Sequence, residues 1–223
     1  MTARTLHIDF VSDVACPWCA VGLAALERAL EAMRVSHGDA LEVALQFQPF
    51  ELNPALGRDG EDAAEHLKAK YGMDDAQLDA ARDALRERGA AVGFEFGERR
   101  RVWNTFDAHR LLHHAGGVGA QAQRRLKHAL LRAYHRDGRN PGAPEVLLDA
   151  AAQAGLDLDA ARAVIEGDAC ADEVRAAEQA WLQAGIRAVP SVVVDRRHLL
   201  QGAQPPEVYA RALLDLAGLG APR

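Results

Sequence analysis

The sequence predicts an α/β fold: a β-α-β unit at the N-terminus, an α-β-β-α unit at the C-terminus, and a large all-helical insertion between them. Three observations predict it. Apolar and polar residues alternate in two stretches before residue 50, the period of a half-buried strand, and short β-type runs return near the C-terminus. Between Pro54 and Ile186 that alternation vanishes and apolar residues recur at helical spacing. The first two strand stretches are joined by a segment long enough for a crossover helix, which implies a parallel pair.

The elements follow in order. Leu6, Ile8 and Phe10 alternate with His7 and Asp9, giving a strand that ends near Ser12. Ala15–Met33 is a helix with Val21, Ala24, Ala25, Ala29 and Met33 on its apolar face, and Pro17 suits its first turn. His37-Gly38-Asp39 breaks the pattern before a second strand, Leu41 to Phe47. Helices are expected at Asp62–Lys70, Asp74–Gly89, Asn104–Ala115, Gln121–His135, Pro144–Ala154, Asp157–Glu166 and Asp172–Ala184. Gln121–His135 carries the clearest stripe: Leu126, Ala129, Leu130, Ala133 and Tyr134. Asn104-Thr105-Phe106-Asp107 has the form of an N-cap with an acid in the first turn. Gly116-Gly117 and Asp137-Gly138-Arg139-Asn140-Pro141 are expected as loops. Val189–Val194 and His198–Gln201 are strands around a turn at Asp195-Arg196-Arg197, and Glu207–Ala217 is the last helix. The order is similar to that of a thioredoxin-like fold with a helical insertion. Residues 1–53 and 171–223 form its two parts and 54–170 the insertion.

Composition narrows the function. Asp plus Glu is 32 against 26 Lys plus Arg, a net charge of −6. A mildly acidic chain is a poor non-specific ligand for nucleic acid or an anionic membrane. The charge run Glu98-Arg99-Arg100-Arg101 reads as a solvated face. No apolar segment has the form of a signal peptide or a membrane span, so a cytoplasmic location is expected. Three cysteines are too few for a secreted disulfide scaffold.

Two of them, Cys16 and Cys19, flank Pro17 and Trp18 at the start of the first helix. That spacing puts both sulfurs on one face within bonding reach. Unpaired N–H groups at a helix N-terminus stabilise a thiolate. Cys16, at the tip, is therefore expected as the exposed nucleophile, with Cys19 one turn inside to resolve a mixed disulfide. Pro17 stiffens the turn and Trp18 offers an exposed aromatic beside the sulfur. A zinc site would need two such pairs, and only Cys170 remains, so no metal is expected. Cys170 reads as a small buried hydrophobe or as a thiol open to mixed-disulfide formation. Late in the chain, Val189-Pro190 opens a strand. It is either an ordinary edge-strand proline or, given the element order and the upstream cysteines, a cis bond facing the pair.

The chain resembles the DsbA-like thioredoxin family, in its FrnE-type branch, nearly end to end. The resemblance rests on Ser12-Asp13-Val14-Ala15-Cys16-Pro17-Trp18-Cys19, Pro49-Phe50-Glu51-Leu52-Asn53-Pro54 and Lys70-Tyr71-Gly72. It continues through Asn104-Thr105-Phe106-Asp107-Ala108-His109-Arg110-Leu111, Ala133-Tyr134, Gly185-Ile186, Val189-Pro190 and Gly202-Ala203-Gln204-Pro205. It implies a redox-active Cys16–Cys19 pair, a cis Pro190 and a His109 near the active-site face. The chain departs from the family in having Ser191 after Pro190, where Phe is common. It also has His135 after Tyr134, where an aromatic is common.

The function expected is thiol–disulfide exchange with protein or small-thiol substrates, requiring no cofactor and admitting glutathione as thiol partner. The substrate-side residues would be Pro17, Trp18, Val189, Pro190, His109 and Asp13. Asp13 either relays a proton near Cys19 or caps the helix, the second being preferred. His109 either tunes Cys16 or is an interior histidine with one hydrogen bond. His113 and His114 read as solvated helix residues. Two other functions are consistent with the groove. One is a glutathione-dependent isomerase of the 2-hydroxychromene-2-carboxylate type, although those proteins generally lack both cysteines. The other is a chaperone-like binder of unfolded chains. Oligomeric state is left open.

Overall fold

The computed structural model describes residues 4–220; the outer ends of the two expected parts, residues 1–3 and 221–223, lie outside it. Strand β1, Arg4–Ser12, lies centrally in a four-stranded sheet of order β2-β1-β5-β6. β2, Leu41–Pro49, runs parallel to it, with Ile8 opposite Leu45 and Phe10 opposite Phe47. β5, Ser191–Val194, and β6, His198–Gln201, complete the sheet with antiparallel pairings. Helix α1, Pro17–His37, crosses over between β1 and β2, as the parallel pairing requires, and stops where Gly38 takes φ 51°.

The alternation in β1 has its expected meaning. Leu6, Ile8 and Phe10 are at most 1% exposed. They pack with Leu23, Leu26 and Met33 of α1 and with Tyr209 and Leu213 of the last helix, α9, Pro206–Ala217. Past Ile8 the strand is buried on both faces: Val11 joins Phe50, Ile186 and Val193 in a smaller cluster.

The insertion contains α2, Ala63–Tyr71, and α3, Asp75–Val92, then α4, Phe106–Val118, and α5, Ala120–His135. α6, Pro144–Ala154, and α7, Leu158–Glu166, follow. α8, Ala171–Gln183, leads back to the sheet. A second core forms around Leu111, Leu126, Leu130, Leu147 and Ala151, and it includes Val14 from the β1–α1 loop. The insertion thus grips the loop that presents the cysteines.

Several details differ from the sequence reading. The segment from Pro54 to Ile186 does contain strand: β3, Glu61–Asp62, pairs with β4, Arg101–Val102. Two residues per strand are too few to show a period. Gly116 and Gly117 lie inside α4, which continues to Val118 and ends at Gly119. The α4 cap is Thr105, while Asn104 Oδ1 accepts the Phe106 N–H at 2.8 Å.

Candidate active site

Cys16 is the N-cap residue of α1, with Pro17 at the first helical position. The Cys16 and Cys19 sulfurs face each other, and the Cys19 and Trp18 N–H groups point at the Cys16 sulfur. The hydrogen bond from the Cys19 thiol is the main reason the Cys16 thiol is pushed below its ordinary value; the two N–H groups add to it, against burial and the Asp13 charge. Cys19 moves the opposite way. Burial, then the hydrogen bond it gives to Cys16 and the charge there, push it well up. One sulfur therefore holds the anion and the other the proton, a division of labour suited to attack by the first and resolution by the second.

The expected exposed nucleophile is not exposed. Cys16 is only 4% accessible and Cys19 is fully buried. The Cys16 sulfur lies 3.6 Å from the Val189 carbonyl oxygen, and the Val189–Pro190 peptide is cis. Covering by the Val189 segment was not visible in a spacing argument that placed Cys16 at a helix tip. Trp18 is 37% exposed, as expected, with the Arg88 guanidinium 5.9 Å from its ring centroid. The close approach of α1 to Pro190 depends on Gly22, where a Cβ would lie 2.8 Å from the Pro190 Cγ.

Asp13 does not cap α1. It is fully buried and joins three parts of the chain. Oδ1 accepts from Ala15 N at 3.0 Å, from Thr105 Oγ1 at 2.7 Å and from His109 Nε2 at 3.3 Å, while Oδ2 accepts from Leu52 N at 2.7 Å. Burial alone would raise this carboxyl. The hydrogen bond and charge of His109, then the Leu52 and Ala15 N–H groups, hold it below its usual range. His109, 2% exposed, faces Asp13. Any influence it has on Cys16 passes through that carboxylate.

Sequence reasoning missed several neighbours. Arg99, within the run read as solvated, is half-buried: it donates to the Ala15 carbonyl at 3.2 Å and stacks 5.5 Å from the Tyr134 ring centroid. His135 donates to the Val14 carbonyl at 2.8 Å, and burial, then Arg99, pushes it down to about 3. Lys127 is 1% exposed and feels the charges of Cys19, Asp13 and Cys16. A cleft of about 620 Å³ opens beside Pro17, lined by Arg82, Arg86, Arg99 and Arg100, by Asp62 and Glu98, and by Leu67 and Phe96. Cys170 is neither buried nor near the pair; it is half-exposed at the start of α8 with φ 63°. His113 is exposed and His114 half-buried. Among the described residues no group of three or more His, Cys, Asp or Glu is placed to hold a metal, and no helix is long and apolar enough to cross a membrane.

The comparisons agree with this geometry. The DSBA-like thioredoxin domain description matches residues 7–214. A probable DsbA oxidoreductase from Streptomyces coelicolor is 39% identical, with a TM-score of 0.85 over 98% of this chain and 92% of that one. Two more distant structures share the fold. The cytosolic disulfide reductase DsbM from Pseudomonas aeruginosa, solved with GSH, is 18% identical, TM-score 0.61, over 96% and 98% of the two chains. A 2-hydroxychromene-2-carboxylate isomerase is 14% identical, TM-score 0.66, over 96% and 100%. The match over nearly the whole chain, with the cysteine pair at the helix start beside Val189-Pro190, places this protein in the family of DSBA-like thioredoxin domains.

Proposed function

We propose that this protein is a cytosolic dithiol–disulfide oxidoreductase. The observation that carries the reading is the Cys16–Cys19 pair at the start of α1, with the Cys16 sulfur 3.6 Å from the Val189 carbonyl; the displacement of Cys16 down and Cys19 up accords with it. The Cys16 thiolate attacks one sulfur of a substrate disulfide, which breaks and releases its other half as a thiol. The buried Cys19 gives up its proton and attacks the Cys16 sulfur, freeing the second substrate thiol and leaving Cys16–Cys19 oxidised. Run in reverse, the same steps oxidise a substrate dithiol. Electrons come from, or go to, the substrate thiols, so no bound cofactor enters the balance.

Val189 and Pro190 border the sulfur, Pro17 and Trp18 form the neighbouring surface, and Asp13 with His109 fixes the loop from beneath. The substrates are thiol- or disulfide-bearing proteins or small thiols. The cleft beside Pro17, where four arginines outnumber two carboxylates, supports glutathione as a small anionic partner, in keeping with the GSH in the Pseudomonas aeruginosa structure.

Insulin reduction with dithiothreitol or glutathione tests this. Cys16→Ser should abolish turnover, and retained turnover would sink the assignment. Glutathione-dependent turnover that survives Cys19→Ser would indicate isomerase-type chemistry instead. Aggregation suppression undiminished by Ala at both cysteines would indicate a chaperone-like role.

A further inference from the structure

Four arginines line the cleft beside Pro17, and three of them already hold a carboxylate. Arg82 bonds Asp79 at 2.9 Å, Arg86 bonds Asp83 at 3.1 Å and Arg100 bonds Glu98 at 2.9 Å. All three are exposed. The carboxylates on the cleft wall are engaged as well. Glu98 faces Arg100, and Asp62 caps α2 by accepting from the Ala64 and Glu65 N–H groups at 2.9 and 3.0 Å.

Arg99 differs from the other three. It is half-buried, and among the described residues it makes no ion pair. Its contacts are the Ala15 carbonyl at 3.2 Å and the Tyr134 ring, whose centroid lies 5.5 Å away. Both are neutral. A guanidinium offers five N–H donors in a planar fork suited to a carboxylate, and the Ala15 bond uses one of them. Its charge is screened less by water than that of its exposed neighbours, so an anion beside it counts for more. Its place also matters. Arg99 is fixed to the carbonyl of the residue before Cys16, and the residue after Cys16, Pro17, lines the same cleft. The cleft's 620 Å³ falls within the roughly 300–1,000 Å³ of small-molecule sites, and Leu67, Leu85 and Phe96 give it an apolar side. In glutathione the cysteine is flanked on either side by a residue bearing a carboxylate, so sulfur and carboxylate are about one residue apart, roughly 3.5 Å of chain.

We propose that Arg99 is a specificity-determining residue: its guanidinium clamps a carboxylate of a small thiol or disulfide in the cleft beside Pro17, so the protein exchanges with carboxylate-bearing partners of the glutathione kind in preference to neutral ones. The proposal rests on the exchange reading above and deepens its small-thiol side. Arg99 holds the partner and takes no part in the bond changes. With glutathione disulfide, the Cys16 thiolate attacks one sulfur and the glutathione S–S bond breaks. One glutathione leaves as a thiolate and takes a proton from solvent. The other stays joined to Cys16 until Cys19 displaces it and gives it the Cys19 proton, leaving Cys16–Cys19 oxidised and two glutathione thiols.

The test is oxidation of the reduced protein by two disulfides, each in excess: glutathione disulfide, which carries carboxylates, and bis(2-hydroxyethyl) disulfide, which is neutral. Remaining thiols are trapped with an alkylating agent and counted by mass. The quantity compared is the ratio of the two rate constants, because any loosening of the Ala15 loop slows both disulfides and cancels. Arg99→Gln should lower that ratio by roughly 10- to 100-fold, the loss of one charge-assisted contact. Arg99→Lys, which keeps the charge without the fork, should fall between the two. An unchanged ratio in Arg99→Gln overturns the role of Arg99 and leaves the exchange reading intact. Should the variants fail to fold, wild type decides with S-methylglutathione, which keeps the carboxylates and has no thiol. It should saturably slow oxidation by bis(2-hydroxyethyl) disulfide, and its dimethyl ester should not. Equal inhibition by acid and ester, or none by either, overturns the proposal. A wild-type Cys16–Cys19 pair that neither disulfide oxidises overturns the exchange reading and this proposal together.

Discussion

Substituting His135 tests the electrostatics of the loop that carries the cysteines. The His135 ring is 2% exposed, donates to the Val14 carbonyl at 2.8 Å, and is pushed down from 6.5 to about 3. Because the folded value lies below the unfolded one, the unfolded chain takes the proton first. The stability held in neutral His135 is therefore complete above pH 6.5 and is lost as pH falls toward 3. At about 1.36 kcal/mol per pH unit of that gap, the full contribution is on the order of 5 kcal/mol. Roughly 2 kcal/mol of it is gone by pH 5, before most carboxylates begin to titrate. Against a total of about 5–15 kcal/mol for a domain, that is a large share. His135→Phe keeps a ring against Phe96 and Tyr134, whose centroids lie 5.9 and 4.6 Å away. It strands the Val14 carbonyl, at a cost of about 1–3 kcal/mol at pH 7. Urea unfolding at pH 7.5, 6 and 5 reads both effects. Wild type should lose about 2 kcal/mol across the series, and His135→Phe should start lower and lose far less. A wild-type stability level from pH 7.5 to 5, or a variant that keeps the full slope, refutes the reasoning.

Three further outcomes follow from the same geometry. Asp13→Ala leaves two buried N–H groups, a hydroxyl and His109 without their acceptor. It should lower unfolding free energy by about 3–5 kcal/mol, as breaking a buried pair does, and a loss under ~1 kcal/mol in urea at pH 7 would contradict the hub role. Cys19→Ala removes the main hydrogen bond to the Cys16 sulfur. Such a charge-assisted bond is worth about 1.5–3 kcal/mol, so thiolate absorbance at 240 nm below the titration midpoint should fall roughly tenfold or more, and unchanged absorbance would show that the helix N–H groups suffice. Gly22→Ala sets a methyl 2.8 Å from the Pro190 Cγ. Overpacking of about 1–3 kcal/mol should outweigh the ~1 kcal/mol that alanine gains in a helix, and a variant more stable than wild type would show the contact yields freely.

The sequence made legible what local chemistry determines. Cys16, Pro17 and Cys19 declare a helix start because proline, thiol spacing and the preceding alternation of Leu6, Ile8 and Phe10 act within a few residues. What it left hidden depends on contacts between distant segments. Asp13 looks like a capping acid locally; its partners Leu52, Thr105 and His109 come from beyond β2 and from α4, so its role as a hub appears only once the insertion is docked. Lys127 sits beside the Leu126–Leu130 stripe, where a lysine ordinarily reaches solvent. Its burial follows from the anchoring of Gln123 and His135 rather than from anything in its own period. Arg99 was indistinguishable from Arg100 and Arg101 in the run, although it is the Arg99 guanidinium that bonds the Ala15 carbonyl and stacks on the Tyr134 ring. Gly22 reads as a weak point in a helix until Pro190, far along the chain, is brought against it.

The site carries a charge that works against its own nucleophile. Asp13 opposes ionisation of Cys16, and so does burial; the thiol is nonetheless displaced downward because the Cys19 S–H and the Cys19 and Trp18 N–H groups all point at it. A site built only for the lowest Cys16 value would omit the carboxylate. Asp13 stays because its two oxygens satisfy four donors from three segments, a task no neutral side chain of that size performs. The electrostatic burden of that architecture then falls on the groups around it. His109 engages the carboxylate directly, and the charge of the buried Lys127 draws Cys19 down against the push of burial. Helix dipole and thiol hydrogen bonding come with the β-α-β unit. Both residues come from the insertion, so the helical block that grips Val14 also contributes to the electrostatics under which the cysteines react.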